Sequence, residues 1–208
     1  MTQISTAKRI GYLVVLVLVV GSMVGTYILT THQVLNPDPE MEASRRDLNE
    51  LQQRLTDYQA WQDKIAKKYS EKYYPEFKAY EKVNQAYNAE SVKELKVVDL
   101  KVGDGAEITA ETAYQAYYIG WLPDGEVFDG SFDGDKLKMP LEGGRMIEGW
   151  NQGVLGMKIG GVRELTIPAE LAYGETGSGK IPANSPIKFV LMTIPPLTAE
   201  EVAERPQL

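Results

Sequence analysis

The sequence contains no cysteine, and its single histidine, His32, lies near the N-terminus. The lack of cysteine excludes disulfides and thiolate nucleophiles. The lack of histidine after His32 excludes a Ser–His–Asp triad or a histidine-based zinc site in the C-terminal half. The chain also has no excess of positive charge: its net charge is −7, and residues 96–208 hold seventeen acidic and ten basic side chains. This balance argues against a nucleic-acid-binding protein, which would carry a basic surface.

Long hydrophobic runs are scarce too, and the one present covers residues 10–29, which contain no charged residue. Twenty helical residues, at about 1.5 Å each, span a hydrocarbon core of roughly 30 Å. We therefore predict a transmembrane helix; the alternative is a cleaved signal peptide whose charged region is Lys8 and Arg9. Because these two basic residues directly precede the run, the positive-inside rule places residues 1–9 in the cytoplasm. The rest of this single-pass cell-membrane protein is then expected outside.

A short linker separates this run from a charged region of helical character. The linker, residues 30–39, includes Asn36-Pro37-Asp38-Pro39, which cannot continue a helix. Residues 40–90 are predicted to form a helical stalk. One stripe along it follows alternating spacings of three and four: Leu48, Leu51, Leu55, Tyr58, Gln62, Ile65 and Tyr69. Pro75 is expected to end this helix, and a second helix is predicted over residues 76–88.

The stripe has two interpretations, which the sequence leaves open. It can pack on its own chain, either on its own domain or as a folded-back hairpin, or it can pair with a second copy in a coiled coil. Gly21 and Gly25 are spaced as Gly-x-x-x-Gly within the predicted span, which favours close approach of two membrane helices. A homodimer therefore stands as the alternative to intramolecular packing.

After residue 91 the pattern changes to short alternating strands and turns. Strands are predicted over residues 97–102, 112–122, 136–141, 162–167 and 187–194, with one helix over residues 150–155. One face of the second strand carries Tyr114, Ala116, Tyr118 and Gly120. Several strands around one short helix predict an α+β domain over residues 91–196. Residues 197–208 are predicted to form a polar, disordered tail.

The centre of this domain is Met146-Ile147-Glu148-Gly149-Trp150, where an aliphatic pair and a tryptophan lie within five residues. Four further blocks surround it: Tyr118-Ile119-Gly120-Trp121-Leu122-Pro123-Asp124-Gly125, Val127-Phe128-Asp129-Gly130-Ser131, Leu165-Thr166-Ile167-Pro168 and Leu171-Ala172-Tyr173-Gly174. In their order along the chain, the blocks resemble the FKBP-type peptidyl-prolyl cis-trans isomerases. The resemblance covers about residues 97–195, and it implies an antiparallel sheet curled over one short helix.

The resemblance also implies an aromatic pocket that receives the proline ring of a polypeptide substrate. Trp150 would form the floor of this pocket, and Tyr118, Phe128 and Phe189 would form its walls. Macrolide immunosuppressants are further ligands that such a pocket implies. The isomerisation breaks no bond, so neither a metal nor a cofactor is required.

The polar contacts of the site also follow from the resemblance. The backbone N–H of Ile147 and the hydroxyl of Tyr173 would hold substrate carbonyls. Asp129 would be a buried polar group that orients neighbouring donors rather than a general base. The remaining substrate-binding residues would be Met146, Leu137 and Ile181.

Several positions depart from the usual pattern of the family. Leu137 stands where an aromatic wall is common, Met146 where valine is more usual, and Lys180 where an apolar residue is usual. Residues 130–136 and 175–180 each look one residue short. These departures bear on substrate preference and macrolide affinity more than on activity, because the floor and the Phe128-Asp129 pair are retained.

The predicted function is peptidyl-prolyl cis-trans isomerisation on the outer face of a membrane, assisting the folding of exported proteins. One alternative is a proline-peptide-binding holdase or scaffold module with little catalysis. The other is a structural protein whose function resides in residues 40–88, with the domain as a passenger that has no function of its own. The retained pocket disfavours the passenger, whereas enzyme and holdase differ little at the level of sequence.

Overall fold

The computed structural model describes residues 39–144 and 146–207. The predicted membrane span at residues 10–29 and its Gly21–Gly25 spacing lie outside the described residues. Among the helices within residues 39–144 and 146–207, none is both long and apolar enough to cross a membrane. Two compact units divide the chain: residues up to 54 belong to the first, and the second begins at residue 55 and carries the candidate site.

Three helices and eight strands make up the described residues. In chain order they are α1 (Pro39–Phe77), β1 (Lys96–Lys101), β2 (Gln115–Trp121), β3 (Val127–Gly130), β4 (Phe132–Asp133), β5 (Lys136–Leu137), β6 (Leu141–Glu142), α2 (Glu148–Gly153), β7 (Val162–Ile167), β8 (Ile187–Ile194) and α3 (Ala199–Ala203). Short 3-10 helices lie at Lys78–Tyr80, Ala89–Ser91 and Ala169–Leu171.

The main sheet is antiparallel, with the strand order β1-β7-β8-β2-β3, and β6 pairs with one end of β2. Strands β2 and β8 pair from Gln115↔Ile194 to Trp121↔Lys188. Successive side chains of a strand point to opposite faces, so Ala116 joins one hydrophobic cluster and Tyr117 joins another. The predicted α+β class is confirmed, as is the predicted alternation in the second strand.

The first face of the sheet is covered by the short helix α2. Its buried cluster includes Ala116, Trp150, Leu165, Ile167, Ile187, Phe189 and Leu191. A Cβ atom at Gly149 would overlap the side chain of Ile167, so glycine is needed there for α2 to approach β7 this closely. The close approach brings Trp150 onto the middle of the sheet.

The opposite face is covered by α1 from Trp61 onward. Ile65, Tyr69 and Phe77 are buried there against Tyr117, Ile119, Trp121, Val190 and Met192. The intramolecular interpretation of the stripe is therefore correct for its C-terminal half. A coiled coil through the whole stripe is wrong, because Ile65 and Tyr69 are already buried in their own domain. The side chains of Leu48, Leu51 and Leu55 are exposed at 66%, 46% and 51%.

Pro75 does not end α1 where expected, and no second helix forms over residues 76–88. The helix continues to Phe77 and passes into a 3-10 turn, and residues 83–88 have no regular secondary structure. This irregular segment hydrogen-bonds β2 and the turn after it: Tyr87 N–H donates to the Pro123 carbonyl (2.8 Å), and Trp121 Nε1 donates to the Gln85 carbonyl (3.1 Å). These partners replace the hydrogen bonds that a second helix would have made internally.

The C-terminal tail is ordered, which corrects the prediction of disorder. Thr198 and Glu201 form a capping box at the start of α3. The helix docks on α1 because Trp61 Nε1 donates to the Glu201 carbonyl (3.0 Å), and the Tyr69 hydroxyl donates to Glu201 Oε2 (2.9 Å). Lys68 Nζ lies 2.7 Å from Glu201 Oε1. A polar segment that could not fold alone is thus held by a helix distant in sequence.

Two substitutions in α1 test this packing. Ile65, which is 1% exposed, should lose about 2–5 kcal/mol of unfolding free energy on change to alanine, from lost burial and a residual cavity. The matched Leu51→Ala change removes an exposed side chain and should alter stability by no more than about 0.5 kcal/mol. Urea unfolding of the full chain measures both. Equal effects of the two changes would contradict the packing of α1 on the sheet.

Glu201 should make stability depend on acidity. Burial alone would raise its pKa, but hydrogen bonds from Lys68, the Thr198 N–H and Tyr69 outweigh burial and lower the pKa from 4.5 to about 2. Since the folded-state pKa is depressed, the stabilisation is fully present above pH 4.5 and is lost as the pH falls towards 2. Relative to wild type, Glu201→Gln should be less stable at pH 7. This difference in unfolding free energy should shrink as the pH falls from 4.5 to 2. Urea midpoints across this range measure it, and a constant difference would refute the coupling.

Candidate active site

The entry into α2 aims Trp150 at the sheet. Ile147 is extended (φ −58°, ψ 154°), and its carbonyl accepts from the backbone N–H groups of Trp150 (3.0 Å) and Asn151 (3.1 Å). The Asn151 side chain donates to the Met146 carbonyl at 2.9 Å and holds the loop against the helix. Trp150 is completely buried in this arrangement.

Trp150 belongs to a cluster of four aromatic rings. Its ring lies 5.6 Å from that of Tyr118 and 5.1 Å from that of Phe189, at interplanar angles of 88° and 81°. The rings of Phe128 and Phe189 are 5.5 Å apart at 86°. These are edge-to-face contacts, the geometry that aromatic quadrupoles favour. A Cβ at Gly120 would lie 2.6 Å from Phe189 and 2.7 Å from Phe128, so glycine makes room for the two rings to meet.

Tyr118 and Asp129 form the polar edge of this aromatic cluster. The Tyr118 hydroxyl donates to Asp129 Oδ2 at 2.6 Å, and the Gly130 N–H donates to Asp129 Oδ1 at 2.8 Å. Burial, followed by the hydrogen bond to Asp129, raises the pKa of the Tyr118 phenol well above its ordinary value. Asp129 itself is exposed, contrary to the prediction of a buried carboxylate, because β3 is an edge strand. It orients the Tyr118 hydroxyl from the surface.

The rim of the site comes from two loops. Met146, Ile147 and Tyr173 are partly buried against the hydrophobic cluster on the α2 face of the sheet, and Ile181 is buried in that cluster. Ile181 is held by paired backbone hydrogen bonds with Ser178, at 2.8 and 2.9 Å. Among the described residues, neither the Ile147 N–H nor the Tyr173 hydroxyl has a hydrogen-bond partner. Both groups are therefore available to carbonyls of a bound peptide.

Sequence similarity to known proteins covers the part of the chain that carries this site. The sequence profile of the FKBP-type peptidyl-prolyl cis-trans isomerases matches residues 104–192. The FK506-binding protein of Streptomyces anulatus is 44% identical over 101 residues, which cover 47% of this chain and 82% of that protein. The chain belongs to the FKBP-type peptidyl-prolyl cis-trans isomerase family.

Another relative is much longer than this FKBP chain. FK506-binding protein 4 of Aspergillus fumigatus is 43% identical over 98 residues, which are 47% of this chain and only 20% of that protein. The chain thus spans about a fifth of that relative. The crystal structure of AtFKBP13 has 36% sequence identity and a TM-score of 0.43, covering 50% of this chain and 93% of that one.

Leu137 does not join the cluster around Trp150, which corrects the prediction that it would line the pocket. It is 2% exposed within the cluster on the α1 side of the sheet. Its N–H donates to the Ser70 hydroxyl at 2.8 Å, and the neighbouring Phe132 stacks on Phe77 at 5.1 Å between ring centroids. The β4–β5 hairpin therefore packs on α1. The sequence of the FKBP domain alone could not show this, since the partners lie in the stalk.

Tyr114 is a site residue to which the resemblance assigned no role. Trp150 Nε1 donates to the Tyr114 hydroxyl at 3.1 Å, and both side chains are buried. The ring of Tyr114 fills the space that a Cβ at Gly143 would occupy. The sequence offered one indication of this role, because Tyr114 lies on the same face of the predicted second strand as Tyr118. Tyr114 thus positions the indole of Trp150, the predicted floor of the pocket.

Two neighbouring tyrosines give a matched test of this role. Tyr114→Phe should cost about 1–3 kcal/mol, because it leaves the buried indole N–H of Trp150 without an acceptor. Tyr117→Phe removes a buried hydroxyl that has no partner among the described residues, so stability should stay equal or rise. Denaturant unfolding followed by tryptophan fluorescence measures both. A loss at Tyr117 as large as that at Tyr114 would contradict the assignment.

Proposed function

We propose that this chain is a peptidyl-prolyl cis-trans isomerase that acts on proline-containing polypeptides. The observation that carries the proposal is the edge-to-face cluster of Tyr118, Phe128, Trp150 and Phe189, with its free donors at the rim. Membership of the isomerase family supports it. The physical question is how such a cluster accelerates rotation about an X–Pro bond.

Rotation about this bond faces a barrier of roughly 18–20 kcal/mol, because the amide loses its resonance as it twists. Uncatalysed, it takes tens to hundreds of seconds, which can limit folding. Because no bond breaks, a site needs only to bind the twisted amide more tightly than the planar one. The twisted amide has less charge separation, so a dry aromatic surface that removes water from its carbonyl favours it.

The described residues can divide this work between them. Trp150 offers a buried floor for the proline ring, and Phe128 and Phe189 exclude water beside it. The N–H of Ile147 and the hydroxyl of Tyr173 would hold neighbouring carbonyls, so that the peptide stays in register while one bond turns. Asp129 keeps the Tyr118 hydroxyl at the pocket edge, and no proton transfer is assigned to it.

Phe128 provides the direct test. The full chain, in detergent, should speed cis-to-trans conversion of a Leu-Pro or Phe-Pro tetrapeptide, and a macrolide immunosuppressant should inhibit it. Phe128→Ala should lower kcat/KM at least about tenfold, equivalent to about 1.4 kcal/mol of transition-state binding. Phe132→Ala, on the opposite face of the sheet, should leave it within about twofold. The full chain is used because α1 covers one face of the sheet.

If the folded wild-type chain binds the peptide but does not accelerate isomerisation, the proposed enzymatic activity is rejected. That result would favour the holdase, in which the same pocket only grips proline-containing segments. Circular dichroism of each variant distinguishes loss of catalysis from loss of fold.

We further propose that residues 10–29 anchor the protein in the membrane with residues 1–9 in the cytoplasm. Lys8 and Arg9 before the uncharged run support this orientation. The isomerase domain would then act on the extracytoplasmic side, where exported proteins fold.

Protease accessibility tests the orientation. Protease added to intact spheroplasts should remove the domain, because it would face the outside. Lysed spheroplasts and a cytoplasmic marker protein are the controls. A protected domain with the apolar segment retained would reverse the orientation, and a mature chain beginning after residue 25 would show a cleaved signal.

A further inference from the structure

A second concave surface lies on the second unit, apart from the aromatic pocket. It is a groove of about 800 Å³ between α1 and the segment that carries β4 and β5. One wall is a continuous stripe of α1 from Gln59 to Pro75, and the other is formed by Asp133 and residues 135–139. The proposed isomerase reaction makes no use of this surface.

The dimensions of the groove suit an extended peptide. Gln59 and Pro75 are sixteen helical steps apart, which is about 24 Å at ~1.5 Å per step. An extended chain rises about 3.3 Å per residue, so roughly seven residues would lie along the wall. A compact small molecule would use only part of this length.

The chemistry of the groove suits a polypeptide of varied sequence. Its floor contains the buried Leu137 and the partly buried Ala66, Tyr74 and Met139. Its rim carries exposed charges of both signs, among them Asp63, Lys67 and Glu71, together with side-chain amides. An apolar floor with a mixed polar rim can accommodate apolar side chains, backbone amides and side chains of either charge.

The groove continues from the strand that carries part of the pocket. Asp129 of the pocket and Asp133 of the groove wall are four residues apart, which is at most about 14 Å of chain. Lys138 of the groove donates to the Gly130 carbonyl at 2.9 Å and ties the far side of the hairpin to the end of β3. A peptide leaving the pocket around the β3 edge would therefore meet the groove within a few residues.

We propose that the groove binds the stretch of client polypeptide that flanks the proline held in the aromatic pocket. This inference rests on the proposed isomerase function and adds a second binding site to it. The groove makes long, unfolded chains better substrates than short peptides, because flanking residues contribute binding that a tetrapeptide lacks.

Two alanines on α1 provide matched variants for the test. Ala66 is partly buried in the groove, whereas Ala60 is exposed on the same helix and does not line the groove. Ala66→Arg should fill the groove, and Ala60→Arg places the same side chain outside it. The exposed rim pair Asp63→Ala/Lys67→Ala is a second groove variant that leaves the packed floor intact.

The assay compares two peptides with the same Leu-Pro core, one of four residues and one of about fifteen with flanks on both sides. With the full-length wild type, the long peptide should show a KM at least fivefold lower. Ala66→Arg and the rim variant should abolish this advantage, with short-peptide kcat/KM within twofold of wild type. Ala60→Arg should behave as wild type. Equal KM values for the two peptides, or an advantage that survives in both groove variants, would overturn the proposal.

Binding measured by fluorescence anisotropy separates the groove from the catalytic site. If neither peptide is turned over, the isomerase proposal fails, while tighter binding of the long peptide that Ala66→Arg abolishes still supports the groove. Sedimentation of wild type and Ala66→Arg tests the rival occupant. A wild-type dimer that the variant dissociates, without change in peptide binding, would assign the groove to a second copy and reject the client.

Discussion

The main sheet is apolar on both faces, and the remaining elements are arranged to cover it. Tyr117, Ile119 and Trp121 point away from α2 and are all buried. Burial of a large apolar side chain is worth about 1.5–3 kcal/mol. Left in water, three such residues would remove much of the marginal stability of a domain. Helix α1 supplies the cover, and α3 fastens α1 through Glu201.

The position of Trp150 depends on contacts outside the aromatic cluster. Helix α2 has six residues, too few to be stable alone. Arg163 holds its C-terminal end: Nη1 donates to the carbonyls of Gly153 (2.8 Å) and Leu155 (3.1 Å), while Nε pairs with Asp99 at 2.7 Å. Tyr114 fixes the indole of Trp150 from behind. The position of Trp150 is thus set by the charge-assisted hydrogen bonds of the buried Arg163 and by the Tyr114 hydroxyl.

The β4–β5 hairpin shows how a stalk can change a catalytic domain. Ser70 of α1 accepts a hydrogen bond from the Leu137 N–H, and Phe77 stacks on Phe132, so the hairpin is packed against α1. The residue that the family pattern places near the substrate therefore belongs to the packing of the stalk.

The α+β class, the alternation in β2 and the four residues of the aromatic cluster could be predicted from the sequence, because period-two patterning and family blocks are local. The surface on which the helical stripe packs could not be predicted from the sequence. Leu48 and Ile65 look alike in sequence, and which of them is buried depends on which part of α1 lies against the sheet face that α2 does not cover. For the same reason the segment that contains Glu201 was predicted to be a disordered tail, Asp129 to be buried and Leu137 to line the pocket. Burial is a property of what packs from elsewhere in the chain, so only the tertiary structure decided it.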